Sequence, residues 1–167
     1  GARLGGIIRI NVGHVLLENV NVHGGAAEAG GAFYCGGMGS LALQRVNLTG
    51  NTAELGNAGV VDGSCQFHWK HGHADGELLV AGADPQVNLT DVELSTIHIV
   101  AGEDANVRLT QVQSELTLEK VEDAVLKYQQ NQATFNYTCP LTSVTLHEKK
   151  SPLLFEAGSY TKHSGIM

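Results

Sequence analysis

Proline is nearly missing from this chain, three residues in 167, and aromatic side chains make up only 5% of it. So little proline leaves backbone N–H donors intact almost everywhere, which suits long hydrogen-bonded ladders. So few rings mean that any core is built mainly from small branched side chains. Basic residues are also scarce: ten Lys and Arg against seventeen Asp and Glu give a formal net charge of −7. No basic stripe is visible to neutralise phosphates, which excludes nucleic acid as a partner. No apolar run reaches the ~18 residues needed to cross a bilayer, so no membrane span is expected. Cysteine is limited to three residues, an odd number. An initiator methionine and a signal peptide are absent as well: the chain opens Gly1-Ala2-Arg3 and reads as a processed product or a segment of something longer.

What the chain has is glycine, 21 residues, and a recurring apolar pattern. Val15 to Val22, Leu41 to Leu48, Val87 to Leu94 and Val107 to Ser114 all read apolar-x-apolar-x-x-Val. Eight residues before each first position stands another apolar residue: Ile7, Phe33, Leu79 and Ile99, with Leu118 and Leu126 continuing the series. Internal periods of roughly 20 to 50 residues signal a solenoid, whose units bury their apolar faces only by stacking. Alternation within each unit gives strands, and glycine or polar residues mark the corners. Gln44-Arg45 suits an open bend rather than a hairpin.

These features predict an all-β fold, a right-handed parallel β-helix (solenoid) of about seven coils over residues 1–158, followed by an irregular C-terminal tail at 159–167. The predicted interior residues are Ile7, Val15, Leu17, Val20, Phe33, Leu41, Leu43, Val46, Leu48, Leu79, Val87, Leu89, Val92, Ile99, Val107, Leu109, Val112 and Leu118. Gly24 to Ala27 and Gly50 to Ala53 read as corners. Residues 67–76 read as an irregular interruption of the alternation.

Gly30-Gly31-Ala32-Phe33, an apolar triplet, then Val46-Asn47-Leu48-Thr49-Gly50-Asn51-Thr52-Ala53 and another glycine-led strand resemble a known repeat. It is the GGA(I/L)…FxxN unit of chlamydial polymorphic membrane proteins, and the β-helix regions of large eukaryotic surface proteins look similar. The match covers residues 30–61. The resemblance implies a β-helix in an extracellular or surface protein and carries no catalytic residues.

Three N-x-Thr sequons, at Asn47, Asn88 and Asn136, are candidate N-glycosylation sites. Asn47 and Asn88 fall on the outward phase of the alternation, where a glycan can project, and this points to the secretory pathway. Solvent-facing polar ladder residues are the competing reading. Cys35 and Cys65 lie in successive repeats and could face each other as a disulfide across one strand spacing of ~4.8 Å. Cys139 is then left free or paired elsewhere. Alternatively, all three are buried thiols acting as small apolar residues.

His68, His71 and His73, with Asp75 nearby, form the sharpest local cluster and are weak metal candidates. A solvated histidine-rich corner is the preferred reading, so no metal and no cofactor are expected. Trp69 is read there as covering the edge of a repeat or stacking on a sugar. Polysaccharide-cleaving β-helix enzymes need converging carboxylates or a calcium-binding aspartate set with an arginine base. Lys70-His71-Gly72-His73 is only a superficial echo of the former, and Arg3, Arg9, Arg45 and Arg108 lack partners in frame for the latter, so the chain is not read as an enzyme. The expectation is a structural segment of a larger extracellular or cell-surface glycoprotein, with neighbouring segments or stacked subunits as partners. The alternative is a carbohydrate-binding or adhesive module.

Overall fold

The computed structural model describes residues 2–101, 106–118, 124–129, 132–137, 144–147 and 160–162. The protein is all-β, and no helix occurs among the described residues. Its strands are β1 (Ala2–Leu4), β2 (Ile8–Glu18), β3 (Asn21–His23), β4 (Ala26–Ala29), β5 (Phe33–Thr49), β6 (Thr52–Leu55) and β7 (Gly59–Val61). They continue as β8 (Gln66–Gly82), β9 (Gln86–Ala101), β10 (Asn106–Leu118), β11 (Ala124–Gln129), β12 (Gln132–Tyr137), β13 (Val144–His147) and β14 (Tyr160–Lys162). An eleven-stranded sheet runs β13-β11-β10-β9-β8-β7-β5-β2, with β3, β12 and β14 attached to it, and β1-β4-β6 form a second, three-stranded sheet. The pairings of both sheets are parallel.

Register turns the sequence pattern into rows. One row passes through Val15, Leu41, Phe67, Val87, Val107, Leu126 and Leu146. Another passes through Ile8, Phe33, Gly59, Leu78, Ile97, Leu116, Phe135 and Tyr160. Each residue of a row therefore rests on one that is 19 to 26 positions away in the chain. Leu41, Leu43, Val46, Leu48, Val87, Leu89, Val92, Ile99, Val107, Leu109 and Val112 are buried in one core with Phe33, and Leu79 is buried as well.

Several expectations need correction. Leu79 and Ile99 do not share Phe33's row: Leu79 pairs with Val60 and His98, and Ile99 with Val80 and Leu118. Six positions separate Val80 from Gln86 where five separate the matching Val61 and Gln66, so the eight-residue count slips. Ile7 and Val20 are 49% and 38% exposed. Ile7 precedes β2, and Val20 lies in the first repeat, whose strand β2 is an edge of the sheet. Val15 and Leu17 are only partly buried for the same reason. The side chain of Leu118 lies outside the described ones.

Gly24 to Ala27 and Gly50 to Ala53 are not simply corners, since Ala26–Ala29 and Thr52–Leu55 are the paired strands β4 and β6. Their glycines make the turns on either side. Buried Asn51 bridges the first two repeats, accepting from the Gly25 N–H at 2.9 Å and donating to the Val22 carbonyl at 3.2 Å. Later repeats omit this second sheet, which is why their spacing shortens from 26 to 20. Within the stretch 159–167, Tyr160–Lys162 is a strand paired with Phe135–Tyr137 rather than irregular chain.

The stretch 67–76 is no interruption. It lies inside the 17-residue strand β8, with Phe67 and Trp69 buried and His68 and Lys70 exposed between them. Trp69 is 1% exposed, so its ring is packed into the core and presents no face for stacking on a sugar. Its ring centroid lies 6.2 Å from that of Phe67, which lies 5.0 Å from that of Phe33. Two glycines make room for these rings. A Cβ on Gly59 would lie 2.2 Å from the Phe33 ring, and one on Gly72 would lie 2.2 Å from the Trp69 Nε1. Large and small residues thus alternate between neighbouring strands so that the core fills without overlap.

Candidate functional site

The polar interval inside each apolar-x-apolar-x-x-Val unit has a geometric task. Two residues separate inward-facing positions where alternation allows one, so the chain must re-aim its side chains. It does so with a single left-handed residue per repeat: Asn19 (φ 55°), Arg45 (52°), His71 (56°), Asp91 (54°) and Gln111 (53°). Asn and Asp tolerate this conformation, whereas the others hold it at a cost of about 1–2 kcal/mol. The expected bend at Gln44-Arg45 is therefore made by Arg45 alone, and strand pairing resumes at Val46 with Gly72.

These corner residues interact along the row. Arg45 Nε donates to Asn19 Oδ1 at 2.5 Å, and His71 Nδ1 lies 2.7 Å from Asp91 Oδ2. Just past the corner, His73 Nε2 lies 2.8 Å from Asp75 Oδ1, and its Nδ1 lies 3.8 Å from Glu93 Oε2. A groove of about 300 Å³ follows this line, bordered by His71, Asp91, Glu93, Gln111 and Gln113. Its ionisable side chains are exposed, so each pair contributes at most about 1 kcal/mol.

His68, His71 and His73 do not converge. His68 projects before the corner, in the row of Ala42 and Asn88, while His71 occupies the corner and His73 lies beyond it. Among the described residues, no group of three or more His, Cys, Asp and Glu side chains is placed to hold a metal ion.

Cys35 and Cys65 are joined in a disulfide and both are fully buried. Cys35's ladder partner is Val61. Cys65 reaches it through the turn at 62–65, whose start is fastened by the Asp62 N–H donating to the Cys35 carbonyl at 2.8 Å. Asp62 also accepts from the Tyr34 hydroxyl at 2.6 Å and from the Gly63 N–H at 2.7 Å. Burial, reinforced by this bond and the carboxylate charge, pushes the Tyr34 phenol up to about 12. Cys139 lies outside the described residues.

Of the sequon residues, Asn47 is exposed and its Nδ2 donates to Asn21 Oδ1 at 3.0 Å. Asn88 is half-buried, and its Oδ1 is buried without a partner. Asn136 pairs through its backbone with Thr117 and Thr161, and its side chain lies outside the described ones. The left-handed row and the Tyr34–Asp62 clasp were missed by the sequence reading. The polar residue directly before each central Val or Gly (19, 45, 71, 91, 111) was the available signal for the row. Nothing local signals the clasp, because its partners are 28 residues apart. Compared with known proteins, the chain matches no family model, no curated protein sequence and no solved structure.

Proposed function

We propose that this chain is a structural segment of a larger extracellular or cell-surface glycoprotein, its parallel ladders closing into a right-handed β-helix of about seven coils. The seven-residue row from Val15 to Leu146 supports the coil number. Strands before and after the left-handed corner, with those on the Phe33 row, supply the arms of each coil. The observation that carries the structural role is the open first row. β1 and β2 each form one edge of their sheet, and Val15, Leu17 and Val20 stand more exposed than their successors. Such an edge invites another strand, supplied by a neighbouring segment or a stacked subunit.

The buried Cys35–Cys65 disulfide suits an oxidising compartment. Exposed Asn47, in its sequon, suits a glycan there, and the repeat-like stretch 30–61 suits a surface protein. The sugar-stacking alternative is less well supported: Phe33, Phe67 and Trp69 are buried, and the Tyr34 hydroxyl is held by Asp62. Light scattering on purified residues 1–167 tests the assembly, with end-to-end oligomers or aggregates expected and a stable monomer counting against it. Enzymatic deglycosylation of native protein should change the mass of the Asn47 peptide, and an unmodified peptide there removes the glycan from the proposal.

A further inference from the structure

Basic residues are scattered along the sequence, but the register brings two of them, Lys70 and Arg108, together with His68 to one face. In β8, β9 and β10, the arms before the left-handed corner point alternate residues away from the core. One outward row is His68, Asn88 and Arg108, and the next is Lys70, Thr90 and Thr110. The remaining row consists of the amides Gln66, Gln86 and Asn106. None of these positions carries a carboxylate, in a chain with seventeen; on the Lys70 row the first carboxylate is Glu18, two strands away on β2. The acids nearest in the chain fall at the margins. Asp91 and Glu93 lie at and past the corner, and Asp84, in the turn before β9, accepts from Ser64. A groove of about 250 Å³ crosses the strip, with Leu16 and Ala42 at one end and His68, Lys70 and half-buried Asn88 at the other.

We propose that this strip binds an acidic polysaccharide, a chain of hydroxylated rings bearing carboxylates or sulfates, laid along the ladder. Lys70 and Arg108 stand two strands and two residues apart, about 12 Å at the usual strand spacing and rise, and neutral amides and hydroxyls fill the places between. Spaced cations match periodic acidic groups, the amides and threonines match ring hydroxyls, and Leu16 with Ala42 supports the C–H face of a ring. A single-stranded nucleic acid would need aromatic faces for its bases, and Phe67 and Trp69 are turned into the core. An acidic peptide would anchor through large side chains in closed pockets, and the groove here is lined mostly by polar residues, with Leu16 and Ala42 at one end. The Asn88 sequon lies within the strip, so a glycan there would occupy the same ground.

The test uses the full chain made in a host that does not N-glycosylate. Calorimetric titration with polygalacturonate should show binding that weakens steeply with salt, and neutral dextran should not bind. Lys70→Gln with Arg108→Gln should weaken binding at least about five-fold, the scale of two exposed charge pairs. Arg3→Gln with Arg9→Gln, the same change in net charge elsewhere, should leave it unaltered. Circular dichroism checks that both variants keep their β signal. No binding by the unaltered chain overturns the proposal, as does an equal loss in both variants. Binding of dextran, or tighter binding of polyglutamate or single-stranded RNA, overturns the choice of ligand.

Discussion

Tyr34 and Asp62 show how one side-chain contact fastens a turn. The phenol donates to a carboxylate that also caps the backbone of Gly63, so ionising the tyrosine would place two negative charges against each other. Because the folded pKa, about 12, lies above the ordinary 10.0, the stabilisation is fully present below pH 10 and is lost as pH rises towards 12. Chemical denaturation should therefore give a stability that falls across that window. Tyr34→Phe should flatten the fall, and an unchanged slope in the variant would refute the assignment. Trp69 and Gly72 are a second pair, matched by size. Gly72→Val alone would drive a side chain into the indole and into the Val46 carbonyl, a clash expected to cost about 1–3 kcal/mol. Adding Trp69→Leu gives the third repeat the Leu and Val found at the equivalent positions of its neighbours. The double variant should then be more stable than the sum of the single changes predicts, and strict additivity in a denaturation cycle would show that the two do not share space.

Among the elements, the long strands β5, β8, β9 and β10 each run through a left-handed residue, so one strand serves two arms. Glycines and buried Asn51 shape the added strands β4 and β6, which among the described residues belong to the early repeats. The disulfide ties β5 to the turn before β8 across 30 residues. By the loop-entropy argument, such a crosslink stabilises the fold by about 3–4 kcal/mol. Reducing it, or replacing Cys35 and Cys65 together with serine, should lower the unfolding free energy by about that amount in a urea titration. A loss below about 1 kcal/mol would mean that the denatured chain gains little freedom from the cut.

For the whole molecule, the exposed large apolar residues among those described, Ile7, Val12, Leu16, Val20, Met38 and Leu55, all precede residue 56. Charged residues are the usual guard on an open sheet edge, lysine above all. If the first row is an assembly surface, Val20→Lys should shift residues 1–167 toward the monomer in sedimentation. Because Val20 is already partly exposed, the melting temperature should change little. Persistent oligomers in this variant would place the contact elsewhere. Of the proposed polysaccharide strip, Lys70 and Arg108 lie on β8 and β10, away from the assembly edge, whereas Leu16 is on β2 at that edge.

Alternation with a period of two is a local property, and the sequence by itself determined its direct consequences: an all-strand chain, the inward places of Leu41, Leu43, Val46 and Leu48, and the polar corner at 44–45. The parallel stacking was legible too, because similar units recur at fixed intervals. What only the tertiary structure decided depends on residues 19 to 30 positions apart, whose juxtaposition is set by turn lengths that carry no periodic signal. Turn length placed Leu79 beside Val60 and added a second sheet to the early repeats. A strand order that puts β2 at the sheet's edge left Val20 exposed, although its pattern equals that of Val46. Trp69 looked like a surface ring because histidines flank it, yet inward phase and the space above Gly72 bury it. The same histidines seemed to form one cluster until a single left-handed residue separated them. Lys70 and Arg108, 38 positions apart in an acidic chain, share a face only because β9 lies between their strands and contributes Asn88 and Thr90 rather than a charge.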